Sequence, residues 1–318
     1  MRFIPNFKGY DFFPHGTHIN FMRFRNVCFW ASIIAIVVSI GLFAIRGLNY
    51  GVDFKGGTLI EVQTTSGVPA DVSALRAQLG GLGLGDVQIQ EFGATNEVLI
   101  RVEQQPGEEA GQQAALKKVI DALGSNYVQR RVEVVGPAVS AELRRTGILA
   151  VTIAVLAIMA YVWFRFEWQF AVGTLLSLLH DVMVVVGIFA LFQLEFDLGI
   201  VAALLTILGY SVNDTVVVSD RIRENLRKYK RMELSELLNL SINETLSRTI
   251  LTGVTTIVVL LALFVFGGSV MRYFTLAMLL GVLIGTYSSI FIAAPILEVL
   301  GVKRETVTGG EKTAAARG

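Results

Sequence analysis

Asp214 is a carboxylate inside a stretch, 198–219, that is otherwise apolar enough to cross a bilayer. An ionised acid there costs about 3 kcal/mol even on lenient insertion scales, so such groups face a bundle interior and mark ion or substrate pathways. Arg248 stands at the mouth of the next apolar stretch, and the chain between leaves and re-enters the membrane on one side. The two residues therefore approach from the same face, and pairing is geometrically easy. Burial favours the neutral form of a carboxylate and a neighbouring guanidinium favours the charged one, so small movements would decide whether Asp214 holds a proton. That is the chemistry of a proton carrier; the lesser alternative is a static tie that fixes helix register. Asn213 lies beside the acid, and Thr252, one turn beyond Arg248, shares its helical face and can relay a hydrogen bond. Asp181, beside His180 in a further apolar stretch, belongs either to a proton pathway or to structural hydrogen bonding. Adjacent helical residues point about 100° apart, so one of the two is expected to face the bundle and the other a backbone group or headgroup.

These groups need membrane helices to hold them, and composition supplies them. Of 318 residues, 53% are hydrophobic and 17% charged, with mean hydropathy +0.60. That is too apolar for a soluble globular chain and predicts a polytopic membrane protein. Spans of bilayer length fall at 27–45, 147–164, 170–192, 198–219, 249–267 and 273–299. Arg46-Gly-Leu-Asn follows the first span in place of a small-residue cleavage site, so it is expected to remain as an anchor. Lys and Arg gather at 1–26, near Arg165, in 220–248 and in the tail 300–318, which alternation puts on one side; the positive-inside rule makes that side cytoplasmic. The tail is expected to be disordered. Net charge of +1 hides this positional asymmetry and says nothing by itself about nucleic acid or acidic substrates; no nucleic-acid partner is expected, and the lone Cys28 has no internal disulfide partner.

Between the first two spans, residues 46–146 change character and form an external domain of a size able to carry its own core. Alternation predicts strands at 58–64, 86–92, 97–103 and 127–135. Helical spacing predicts helices at 70–79 and 110–123, the second burying Leu116, Val119, Ile120 and Leu123. The order βαββαβ is that of a ferredoxin-like α+β domain. Gly80-Gly-Leu-Gly-Leu-Gly85 misses the dinucleotide spacing and is expected to cap a helix and turn the chain. Asp53, in Gly51-Val-Asp-Phe-Lys-Gly-Gly57, is a turn cap or a weak contact for a passing chain. No metal or cofactor site is read anywhere in the chain.

Small residues recur at Gly199, Ala202, Ala203, Thr206, Gly209 and Asn213, and again at Gly281, Gly285, Ser288 and Ser289. Such faces pack helices closely in lipid and also let them slide. Leu234, Leu237, Leu238, Ile242 and Leu246 predict either an interfacial helix on anionic lipid or a solvated connector.

Gly51-Val-Asp-Phe-Lys-Gly-Gly57, His180-Asp-Val182, Gly209-Tyr-Ser-Val-Asn-Asp-Thr-Val-Val-Val-Ser-Asp-Arg-Ile-Arg-Glu-Asn225, Ser241-Ile-Asn-Glu-Thr-Leu-Ser-Arg-Thr249 and Gly281-Val-Leu-Ile-Gly-Thr-Tyr-Ser-Ser-Ile-Phe-Ile292 together resemble the SecF side of the SecD/SecF family, within the RND superfamily. The resemblance implies a six-helix half-bundle, not an enzyme, that joins SecD and the SecY/SecE/SecG channel, with YajC and YidC as further partners. It implies a proton gradient, with no cofactor, used to draw unfolded preproteins outward late in translocation across the bacterial inner membrane. By motif position the coupling acid falls on Asp214 and its partner arginine on Arg248; Ser219 stands where the family commonly has Phe.

Two other classes compete. An intramembrane aspartyl protease would pair two carboxylates on one proton, but Gly209-Tyr-Ser-Val-Asn-Asp214 lacks a Gly-x-Gly-Asp motif. A proton-driven exporter of small molecules or lipids shares the fold class, though such exporters usually carry both six-helix halves and two external domains in one chain.

Overall fold

The computed structural model describes residues 18–302; residues 303–318 of the tail expected to be disordered, and the basic residues Arg2 and Lys8, lie outside them. Six helices are long and apolar enough to cross a membrane. They are α1 (Arg25–Arg46), α5 (Pro137–Arg165), α6 (Trp168–Phe192), α7 (Leu198–Lys228), α8 (Leu234–Phe266) and α9 (Gly268–Ser288), the last continued by a π turn (Ser289–Ala293) and the short α10 (Ala294–Val299). Helices α6, α7 and α9 form the centre, and α1, α5 and α8 the rim, where Val27, Ile34, Ile153, Val258 and Phe266 point outward. Apolar side chains on that outer face have no core to enter and suit lipid.

Two helices run past their predicted ends. Helix α7 continues nine residues beyond 219, and α8 begins at Leu234, so only a short turn separates them. The stripe Leu237, Leu238, Ile242 and Leu246 therefore forms no separate interfacial helix. It is buried against Ile222, Leu226, Phe21 and Met22, with Leu234 partly buried beside it. Asn225 of α7 donates to Ser241 and Glu244 of α8 (3.0 and 2.7 Å), pinning this turn. Asn243 and Asn239 accept from the amides of Ile19 and Met22, strapping the N-terminal segment onto α8.

Between α1 and α5 lies an α+β domain. After β1 (Asn49–Tyr50) and the one-turn α2 (Val52–Lys55) come β2 (Gly57–Thr64), α3 (Val72–Gly80), β3 (Val87–Phe92), β4 (Ala94–Val102), α4 (Glu108–Leu123) and β5 (Tyr127–Val135). The antiparallel sheet has the order β3-β4-β2-β5, the ferredoxin-like arrangement. Ile60, Val62, Val98, Ile100 and Val102 on one face meet Leu75 and Leu79 of α3 and Ala115, Val119 and Leu123 of α4. Ile120 is turned outward, and Gln112 takes an inward place of the α4 stripe, accepting from Thr58 (2.9 Å). The buried series 112, 115, 119, 123 keeps the helical period, which one step to 120 breaks. Gly81 caps α3, and Gly83 and Gly85 turn the chain at positive φ.

The domain is rooted in the bundle without a linker. Strand β5 passes into α5 through Gly136, with Pro137 at the first helical position. β1 pairs in parallel with β6 (Glu195–Phe196), between α6 and α7. Tyr50, Phe54, Phe196 and Phe189 pack ring to ring at 6.0–6.3 Å across that junction. Gly57 adopts φ +126°, and a Cβ there would lie 2.5 Å from the Val102 carbonyl oxygen. Gly57→Ala is thus expected to destabilise the α+β domain by about 2 kcal/mol or more, seen as a lower urea midpoint in pulse proteolysis of the detergent-solubilised chain; an unchanged midpoint would refute this reading of the junction.

Candidate functional site

Asp214 sits on the inner face of α7 and is only 7% exposed. Its Oδ1 accepts from Thr249 of α8 at 2.6 Å and its Oδ2 from Ser289 of the π turn at 2.8 Å. Both carboxylate oxygens are thus satisfied by hydroxyls from two other elements, the condition for keeping a charge in a water-poor interior. The direct pairing with Arg248 is not formed. Thr249 points inward, so its neighbour Arg248 is turned away by about 100° and is exposed at the surface of this chain. Among the described residues its guanidinium has no ion-pair partner within 4 Å, although Arg248 directly precedes the Thr249 that bonds Asp214. Thr252 bonds back to the carbonyls of Arg248 and Thr249, both at 3.0 Å, and does not reach the acid. Asn213 is exposed on the outer face of α7.

Asp181 forms a second, separate centre on α6 and is fully buried, at 0% exposure. Its Oδ2 accepts from Ser211 of α7 (2.6 Å) and Ser288 of α9 (2.9 Å). Ser177 in turn donates to Ser288 at 2.8 Å. His180 does not turn out to the headgroups: it too is buried, with Nδ1 3.0 Å from Asp181 Oδ1 and its ring against Tyr287. No hydrogen bond joins the two carboxylates among the described residues. They therefore do not share a proton as an aspartyl dyad must.

What joins the centres is the passage from α9 into the π turn. Ser288 and Ser289 are consecutive, and each donates to a different acid. A π turn is a local widening of the helix that recurs at functional sites, and here it lets neighbouring hydroxyls address two helices. Close packing of α7 on α9 makes this possible. A Cβ on Gly281 would lie 2.3 Å from Ile207, and one on Gly285 would lie 3.1 Å from Ser211. The α7 stripe divides. Ala203 is buried, whereas Ala202, Thr206, Gly209 and Asn213 run down an outward face on which a Cβ at Gly209 would meet nothing.

Thr249, Ser211 and Ser177 were not singled out from the sequence. Their signal is faint but real: hydroxyls in apolar helices, one beside Arg248 and one a turn before Asp214. Asp53 accepts from the amide of Leu198 at 2.9 Å, so it caps α7 and not the turn in which it lies.

Comparison with known proteins accounts for this architecture. The C-terminal region of the protein export membrane proteins SecD/SecF matches residues 115–303, and the SecD/SecF GG motif matches 41–68. The chain is 48% identical over 311 residues to protein translocase subunit SecF of Cereibacter sphaeroides, covering 94% of this chain and 93% of that one. It is 43% identical to SecF of Escherichia coli O157:H7, covering 92% and 91%. Protein translocase subunit SecDF of Brucella abortus biovar 1 is 44% identical over 93% of this chain, which spans 39% of that longer protein. The crystal structure of SecDF, a translocon-associated membrane protein from Thermus thermophilus, superposes with TM-score 0.79 at 37% identity, over 89% of this chain and 39% of that one. With six apolar helices around one small α+β domain and relatives matched over nearly their whole length, the chain belongs to the SecD/SecF family of protein export membrane proteins, as a translocase subunit of the SecF type.

Proposed function

We propose that the chain couples proton flow to the late, outward stage of preprotein export, with Asp214 as the group that takes up and releases the proton. The observation that carries this reading is the buried carboxylate tied by one oxygen to α8 and by the other to the π turn, with Arg248 next in sequence to the Thr249 that holds it. Ionised, Asp214 accepts from both hydroxyls. Protonated, it becomes a donor at one oxygen, and the hydroxyl there must rotate or let go. A charge-assisted hydrogen bond is worth about 1.5–3 kcal/mol, and moving one charge through 100 mV supplies about 2.3 kcal/mol. One proton thus carries enough energy to exchange one tie of the bundle for another. No bound cofactor enters this scheme.

Asn213, Thr206 and the small residues Ala202 and Gly209 run along one exposed stripe of α7, and Arg248 is exposed on the neighbouring α8; lipid covers such polar groups poorly. The SecDF relatives carry a further stretch of chain beyond the part this protein matches. A SecD partner covering these groups would bring Arg248 out of lipid and close the proton site from the other side. The SecY/SecE/SecG channel, with YajC and YidC, would deliver unfolded preprotein to the α+β domain side. Both termini and the α7–α8 turn lie on the cytoplasmic side of the inner membrane in this scheme.

Asp214→Asn keeps the acceptor and the shape but cannot release a proton. In inverted vesicles at fixed ATP it should abolish the extra preprotein translocation produced by an imposed proton gradient, with subunit levels unchanged on blots. Full retention of that stimulation would withdraw the coupling role. Arg248→Lys should lose most of the stimulation despite conserved charge, because an ammonium lacks the planar fork and neutralises more readily when desolvated. Orientation is checked with single cysteines at the exposed Lys118 and Lys228 in a Cys28→Ser background. With the outer barrier opened, an impermeant thiol reagent should label Lys118→Cys and spare Lys228→Cys; the reverse pattern would invert the topology.

A further inference from the structure

The end of α7 nearest the α+β domain is held from outside the helix. Its first free amide, at Leu198, is taken by Asp53 of α2 at 2.9 Å, and the amide of Ile200 by Asp197 at 3.0 Å. Two carboxylates thus serve one helix N-terminus, where backbone amides and the helix dipole favour negative charge. Glu195 stands beside them and is ion-paired with Arg101 of β4, on the sheet face turned away from the domain core. Gly51 permits the approach, since a Cβ there would lie 3.0 Å from Glu195 Oε1 and 3.2 Å from Asp197 Cβ. The sheet is therefore fastened to the α6–α7 connection at Arg101, and the GG segment to α7 at Asp53. Beside these contacts a cleft of about 410 Å³ separates the sheet from the end of the bundle.

We infer that Asp53 and Arg101 are positioning residues: they lock the α+β domain onto the end of α7, so that the place of the domain is transmitted along this helix to Asp214. The inference rests on the coupling role proposed above. Asp214 lies sixteen residues beyond Leu198, about 24 Å along one continuous helix. A domain that lifts breaks the Arg101–Glu195 pair, and where β1 and α2 part from β6 with it the Asp53 cap is withdrawn as well, leaving α7 with one cap in place of two. Helix α7 is then free to shift against α9, where Ser211 and Asp214 meet the two serines.

The joint also responds to pH on its own side of the membrane. Burial, and then the like charges of Glu195 and Asp53, push Asp197 up to about 6, against the opposing amides of Ile200 and Gly199. The other ionisable groups around the cleft are Glu61, Arg131, Glu133 and Tyr273, with Arg101 held on Glu195. When the domain lifts, water enters and Asp53 departs, so Asp197 returns toward its ordinary range. The docked state then binds the proton more tightly. Docking gains in full below the ordinary Asp value, and the gain is lost as pH rises through about 6.

The test uses the full-length Cys28→Ser chain in nanodiscs, spin-labelled at the exposed positions Lys118 and Phe192, and reads their distance distribution. A single narrow distribution is expected, broadening as pH is raised through the Asp197 value. Asp53→Ala and Arg101→Glu should broaden it at every pH, Asp53→Asn should retain the cap and the narrow distribution, and Arg101→Glu with Glu195→Arg should restore it. Unchanged distances in Asp53→Ala and Arg101→Glu, or failure of the charge swap to restore, would overturn the joint. In vesicles, Asp53→Ala should lose most of the gradient-stimulated export; full stimulation beside a broadened distribution would overturn transmission along α7. The distances are read without any gradient, so a failure of Asp214 as proton carrier would show in export alone and leave the joint standing.

Discussion

A carboxylate in a medium that cannot solvate it must be given its hydrogen bonds by the protein, and the arrangement of this bundle follows from that requirement at Asp214. Thr249 and Ser289 provide the bonds from two elements distant in sequence, so the acid joins α7 to α8 and to the end of α9 at one point. Leaving such a group without partners would cost several kcal/mol per ion, more than any single helix contact returns. The position of α8 along its axis, the depth of the π turn and the inward face of α7 are all set by the need to bring two hydroxyls within reach of one side chain.

The same requirement explains why glycine and serine gather between α7 and α9. In lipid no hydrophobic force drives helices together, so polar contacts and close packing must do it. Gly281 and Gly285 let the backbones approach, and that approach places Ser211 and Ser288 on Asp181. Two acids, each with its own hydroxyls and linked through consecutive serines, give the centre of the bundle a polar layer with no metal-ligating cluster among the described residues. A polar layer of this kind has alternative pairings of similar energy, which a tightly packed apolar core lacks.

The domain end and the acid lie on one helix. Helix α7 begins where Asp53 and Asp197 cap it and passes Asp214 on its way to the turn with α8, where Asn225 holds Ser241 and Glu244. A rigid rod anchored at both ends carries displacement better than a chain of flexible loops, and the direct passage of β5 into α5 gives the domain a second rigid attachment. The fold therefore places this charged joint and Asp214 in mechanical series.

Length, hydropathy and alternation were enough to determine the six spans, the βαββαβ order and the prominence of Asp214, Arg248 and Asp181. Each of these rests on periodicity or on the cost of one buried charge, and both are local properties of the chain. The extra turns of α7 and the merging of 234–246 into α8 were not legible, because that stripe of leucines reads the same whether lipid or protein covers it. Which groups satisfy the acids was decided only in three dimensions. Thr249 displaces Arg248 from Asp214 because adjacent helical residues face different ways, and Ser288 and Ser289 reach separate acids because a π turn lies between two helical registers. Asp53 likewise became a cap for a helix that starts 145 residues later in the chain. A hydrogen bond between distant segments has no signature in either segment alone, so the tertiary structure determined the wiring of the charges, whereas the sequence determined that there were charges in need of it.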